Sequence, residues 1–261
     1  MFGGGRSFTL FRVRGIRITV DWSWFVVLFL VIFLLSDFYG TILGQSNSST
    51  EPYLLAVASA FGFFGSIVLH ELGHAFVALR NGIGISRISL WIFGGVAQMD
   101  RESDSPGTEF KVAIGGPVVT FLIAVVLIAI GVLSVGWASF QDAIEVRNTA
   151  DMTGLIAMVA WLAAINVIVL GFNLLPAFPM DGGRIVRAIA WKITGKRGSA
   201  TRFAAGLGRI FGYIFIGLGL YWAYTGEVFS GIWLALIGVM ITGSARAGRS
   251  GARPSLSLIH I

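Results

Sequence analysis

Six apolar stretches recur along this chain, at about 20–35, 53–79, 112–135, 152–175, 203–224 and 228–245. A helix of about 20 residues crosses the hydrocarbon core of a bilayer. In lipid, every backbone N–H and C=O must be satisfied within the protein. The pattern therefore points to an all-α polytopic membrane protein with six transmembrane helices. Composition agrees, because charged residues make up only 12% of the chain and the mean hydropathy is +0.83. Soluble domains carry about 25% charged residues. No small-residue cleavage site follows the first apolar run, so that run is expected to stay as a span.

Six spans place both termini on one side. All of the 19 Lys and Arg except Arg147 then fall on that side. The positive-inside rule makes it cytoplasmic, which predicts a multi-pass protein of the cell membrane with both termini in the cytoplasm. Trp137 and Trp222 fall near outer span ends, and Trp22 and Trp24 near an inner one, where interfacial aromatics belong. This placement also accounts for the net charge of +6 without a nucleic-acid partner, since the basic residues flank the spans. There is no cysteine, which excludes disulfides, thiolate ligands and a cysteine nucleophile.

The chain divides into a cytoplasmic basic segment at 1–19, a membrane core at 20–245 and a cytoplasmic tail at 246–261. The tail reads as disordered, and its last residues, 255–261, carry no boundary signal, as a truncated chain would. The outer connections 37–52 and 136–151 have room for turns only. Between spans two and three, Ile88, Leu90 and Ile92 alternate with Ser89 and Trp91, and Gly94-Gly95 follows. That predicts a small β-hairpin or sheet at the membrane surface. Such backbone is tolerated near membrane depth only under protein cover or beside a water cavity.

Within the second apolar run stands His70-Glu71-Leu72-Gly73-His74. A helix puts positions i and i+4 on one face, about 6 Å apart along its axis, so two imidazoles can hold one metal ion. Glu71 beside them can take a proton from the attacking water. Ionisable groups inside a span are costly and mark function. A catalytic zinc has three protein ligands and one open position, so a third ligand must come from elsewhere. His260 lies in the tail. Asp100, Glu102, Asp104 and Glu109 fall in a polar loop and read as solvated charge, and Asp21 reads as a partner of Arg17. Asp181 differs: Pro176 and Pro179 break the helix before it, and Gly182-Gly183 allows close backbone approach after it. An acid on a broken helix is how intramembrane ion sites are built. The alternative makes Asp181 the N-cap of a short amphipathic helix at 183–194. Asn173, likewise, is either functional or a polar tie between helices.

Taken together, the two segments resemble the site-2 protease family of intramembrane zinc metalloproteases. The resemblance rests on His70-Glu71-Leu72-Gly73-His74 and on Asn173, Pro176, Pro179, Asp181 and Gly182. Phe93-Gly94-Gly95-Val96-Ala97 and Ala113-Ile114-Gly115-Gly116-Pro117 are also similar to family segments, and the likeness runs over about 22–245. It implies that His70, His74 and Asp181 bind one zinc ion. Glu71 would then be the general base, and Asn173 would stabilise the oxyanion or hold the substrate strand. It further implies single-pass transmembrane proteins as substrates, cut within or near their spans. No loop has room for the peptide-binding PDZ domain of some relatives. Relatives with six spans often carry a nucleotide-sensing CBS pair after the last span, where this sequence stops about 16 residues on; the expectation is either regulation by another route or an incomplete sequence. The rival reading is a transporter or metal permease that uses the same His and Asp residues for ion transit. Against it stand the absence of a second half repeating the first, and a glutamate between the histidines that transit does not need.

Overall fold

The computed structural model describes residues 7–44, 50–91, 94–148 and 152–247. Ile92 and Phe93 of the alternating segment, residues 45–49 of the first outer connection, and the tail with His260 lie outside the described residues. The order of elements is β1 (Phe8–Val13), β2 (Ile16–Val20), α1 (Trp22–Ile42), α2 (Thr50–Arg80), β3 (Ile85–Trp91), β4 (Gly94–Met99), α3 (Pro106–Val135), α4 (Trp137–Glu145), α5 (Gly154–Asn173), α6 (Asp181–Thr194), α7 (Arg197–Tyr224) and α8 (Val228–Ala247). Six of these helices, α1, α2, α3, α5, α7 and α8, are long and apolar enough to span a membrane.

Helices α1, α2, α3 and α7 run past their apolar stretches, whereas α5 stops inside its own at both ends. The Asp21 carboxylate accepts the Ser23 N–H at 3.0 Å and caps α1, so it is a helix cap and not the expected partner of Arg17. Helix α2 carries Glu51 in its first turn and Arg80 in its last, charges that suit the helix dipole. Helix α3 opens with Pro106, and the Ser105 hydroxyl accepts the Thr108 N–H at 3.1 Å, a proline-led capped start. This start lies inside the stretch expected to be a solvated loop.

The chain forms two compact units. The first comprises residues 1–73, 85–98 and 118–171. Its sheet has the order β1-β2-β3-β4, with β1 and β2 antiparallel and β2 and β3 parallel. The expected hairpin is thus half of a four-stranded sheet, and the basic N-terminal segment supplies the other half. Arg14 and Gly15, both at positive φ (47° and 87°), form the two-residue turn between β1 and β2, as a primed hairpin turn requires. Ile16, Ile18 and Val20 alternate into the core, with Ile88 and Leu90 beside them. The Asp21 N–H donates to the Leu90 carbonyl at 2.9 Å, which ties the start of α1 to β3. Trp24, Leu28, Leu35 and Tyr39 of α1 pack with Leu55, Ala60 and Phe64 of α2. Tyr39 and Ser59 share a buried hydrogen bond of 2.7 Å. The connection between α3 and α5 holds helix α4 where only turns were expected. Its Phe140 is fully buried against Gly131, where any Cβ would collide with the ring.

The second unit comprises residues 74–84, 99–117 and 172–261. Helices α7 and α8 form an antiparallel pair through small residues. A Cβ at Gly212 would lie 2.8 Å from the Gly238 carbonyl oxygen, and one at Gly238 would lie 2.6 Å from that of Gly212. Lipid tails compete equally for apolar side chains, so close backbone packing of this kind is what holds such a pair together. The non-helical stretch 174–180 is clasped by glycines. Cβ atoms at Gly182 and Gly183 would strike the backbone of Leu174, Leu175, Ala177 and Phe178, and one at Gly208 would lie 2.6 Å from the Phe178 carbonyl oxygen. Glu109, expected to be solvated, is fully buried in the first turn of α3 and accepts the Arg187 Nε–H at 2.7 Å. A buried carboxylate needs such a partner, and this one ties α3 to α6.

Candidate metal centre

His70, Glu71 and His74 lie on α2, and all three are buried. Asp181 is the first residue of α6, 1% exposed. Met180 holds the N-cap position of α6 without a side-chain bond, so Asp181 does not serve as the cap of that helix. Its carboxylate meets His74 instead, with Oδ2 3.2 Å from Nε2. One ligand atom from each of His70, His74 and Asp181 can be chosen so that all lie within 4.8 Å of one another.

Neighbours orient the imidazoles. His74 Nδ1 lies 2.7 Å from the Val112 carbonyl oxygen, which can only accept. The Gly116 amide nitrogen lies 3.3 Å from the same Nδ1, so α3 holds the far ring nitrogen and Nε2 is turned toward the Asp181 carboxylate. Nε2 and the carboxylate oxygen stand 3.2 Å apart and both residues are buried, close enough for one cation to take both as ligands. His70 Nδ1 is hydrogen-bonded to Thr120 Oγ1 at 2.8 Å, which fixes the orientation of its ring. Metal-binding histidines are held in this way by a contact on the far ring nitrogen. Two imidazoles and a carboxylate with no thiolate form a hard-to-borderline donor set that suits zinc.

Glu71 is 2% exposed and lies against the backbone of β4. A Cβ on Gly95 would stand 2.7 Å from the Glu71 carboxyl carbon and 2.8 Å from Oε1. Asn173 is the last residue of α5 and half-buried, and it is not one of the three clustered ligands. Glu102 and Asp104 are surface partners of Arg197 and Arg101. Thr120 and the Val112 carbonyl were not identified from sequence, and Gly95 was singled out there without its place against Glu71. A lone threonine in an apolar span, three residues after Pro117, was the one available sign of the first.

Comparison with known proteins places this geometry in a lineage. Residues 58–216 match the description of peptidase family M50. Rip3 of Mycobacterium tuberculosis is 34% identical over 236 residues, which cover 90% of this chain and 56% of that protein. The zinc metalloprotease MJ0392 of Methanocaldococcus jannaschii is 36% identical over 216 residues, covering 82% of this chain and 54% of its own. The chain thus spans a little over half the length of these relatives. A solved structure, the site-2 protease from Methanocaldococcus jannaschii, superposes with a TM-score of 0.58 at 30% identity, covering 98% of this chain and 100% of that one. With more than half of its length matched by the family and a homologous structure covered from end to end, the chain belongs to peptidase family M50, the site-2 protease family.

Proposed function

We propose that this chain is the core of an intramembrane zinc endopeptidase that cuts single-pass membrane proteins within or near their spans and releases a cytoplasmic fragment. The observation that carries the reading is the buried group of His70, His74 and Asp181, with Glu71 beside it on α2. Family membership favours it over ion transit. Zinc, when bound, supplies the Lewis acid that polarises the scissile carbonyl and lowers the pKa of water toward ~7. His70, His74 and Asp181 hold the ion. Glu71 takes the proton of the attacking water and returns it to the leaving nitrogen. Asn173, at the end of α5, donates its amide N–H to the developing oxyanion or holds the substrate strand.

The substrate must unwind first, because a helix hides its carbonyls in hydrogen bonds. An unwound segment then satisfies its backbone by adding to a strand edge. Strand β4 is an edge of the sheet, and its Gly95 touches Glu71, which supports β4 as the edge that receives substrate.

Glu71→Gln separates this reading from a transit site. The variant should keep about one zinc per chain and lose cleavage of a co-expressed single-pass protein by several orders of magnitude. Asp181→Ala should lose the zinc as well. Near-normal cleavage by Glu71→Gln, or full zinc in Asp181→Ala by elemental analysis, would overturn the assignment.

A further inference from the structure

Strands β1, β2 and β3 carry a feature that proteolysis does not use. Arg12 pairs across the sheet with Arg17, and Arg17 with Arg87. Residues directly opposite on neighbouring strands share a face, so three guanidinium groups stand in one row. The same face continues into Thr19 and Ser89, whose hydroxyls are hydrogen-bonded at 2.9 Å. The opposite face carries Ile16, Ile18, Val20, Ile88 and Leu90, all buried, and at its β1 edge Phe8 and Phe11. Among the described residues, no carboxylate pairs with Arg12, Arg17 or Arg87. Like charges set opposite one another destabilise a sheet, so the row calls for an anionic partner.

Its position identifies the partner. Strand β1 is the other edge of the sheet, with Phe8 43% and Phe11 48% exposed. Phe8 stacks edge-on against Trp22 at 5.3 Å. Trp22 begins an exposed stripe on α1 that continues through Val26, Phe29 and Phe33, the side of that span which lipid must cover. An exposed apolar edge strand in water invites aggregation. Next to a lipid-facing stripe, the same strand finds cover in the bilayer interface, where arginine heads reach phosphates and their stems lie in apolar surroundings.

We propose that the face formed by Arg12, Arg17 and Arg87 binds the phosphates of anionic phospholipids in the leaflet at the start of α1, with Phe8, Phe11 and Trp22 at the acyl boundary. The sheet that carries Gly95 is thereby seated on the membrane surface by lipid charge. The inference does not depend on whether the chain hydrolyses peptides.

The test uses the whole chain, which has no cysteine, in phosphatidylcholine vesicles. A single fluorophore is placed at Thr9→Cys on the arginine face. Phosphatidylglycerol or phosphatidylcholine, brominated in the acyl chain, is added as a minor component at equal mole fraction. The brominated phosphatidylglycerol should quench several-fold more than the brominated phosphatidylcholine. That excess should fall about fivefold with each of Arg12→Gln and Arg17→Gln. A label at Phe29→Cys should be quenched equally by both lipids. Equal quenching at Thr9, or none, overturns the proposal. Loss of the excess to inorganic phosphate at constant ionic strength would make the face a soluble-anion site and also overturn it. In uncharged detergent, Arg17→Gln should leave the melting temperature unchanged or raise it. A fall there would show that the arginine holds the sheet together and not a lipid.

Discussion

Glu71 has its place because Gly95 has no side chain. Its carboxylate fills the space that a Cβ on that residue would occupy, so even one methyl group must displace the proposed base. Gly95→Ala should therefore lower cleavage by about 100-fold, the cost of moving a reacting group by about 1 Å, while zinc content stays normal. Unchanged cleavage in a steady-state assay would show that Glu71 does not act from this position. The grouping of His70, His74 and Asp181 was legible in the sequence for local reasons. A spacing of four on a helix makes His70 and His74 neighbours, and two prolines with two glycines single out Asp181 among the acids. Thr120 and the Val112 carbonyl were not legible, nor was the place of Gly95 against Glu71. Each reaches the site through the packing of elements distant in sequence, and a backbone carbonyl leaves no mark on residue identity. Glu109 was misread for a related reason. Its polar neighbours, Ser103 to Thr108, resemble a loop, and only the arrival of Arg187 from α6 turns it into a buried ion pair.

The edge strand β4 carries a prediction of its own. Successive residues of a strand point their N–H groups to opposite sides. One of Val96→Pro and Ala97→Pro therefore removes a donor facing outward, and the other removes a ladder bond to β3. If substrate pairs with this edge, one variant should lose cleavage of a fixed substrate while retaining zinc and its melting temperature, and the other should lose stability. Full cleavage by both would make β4 only a cover over the centre. Sheet and helices differed in how readily they could be read. Hydropathy marked all six spans, because lipid leaves few alternatives for an apolar run of this length. Capping residues then set the helix starts: Ser105 opens α3 six residues before the run that begins at 112, and Asp21 opens α1 two residues inside the run that begins at 20. The hairpin of β1 and β2 was passed over as a basic segment, although Ile16, Ile18 and Val20 alternate with Arg17 and Thr19. Its turn is Arg14-Gly15 instead of the usual Asn-Gly, and arginines counted for topology concealed the period of two. Helix α4 was missed because nine residues with one buried aromatic give too short a pattern to separate from turns.

At the level of the whole molecule, segregation of the basic residues predicts orientation. The native chain has no cysteine, so single-cysteine labelling in intact cells is clean. Gln141→Cys, exposed on α4, should react with an impermeant maleimide from outside, and Lys196→Cys, exposed before α7, only after lysis. The reverse pattern would place the cut fragment on the other side of the membrane. The parallel pairing of β2 with β3 has a consequence for synthesis. Thr19 and its partner Ser89 are separated by 70 residues, and α1 and α2 lie between them. At about 5–20 residues per second, the ribosome needs roughly 4–14 s to deliver the second strand after the first. Until both spans have been handed to the bilayer, β2 waits with an open side, and β4, added still later, cannot reach Glu71. Strand order thus keeps the edge of β4 from standing beside Glu71 until the first two spans are in place, a delay set by the speed of translation.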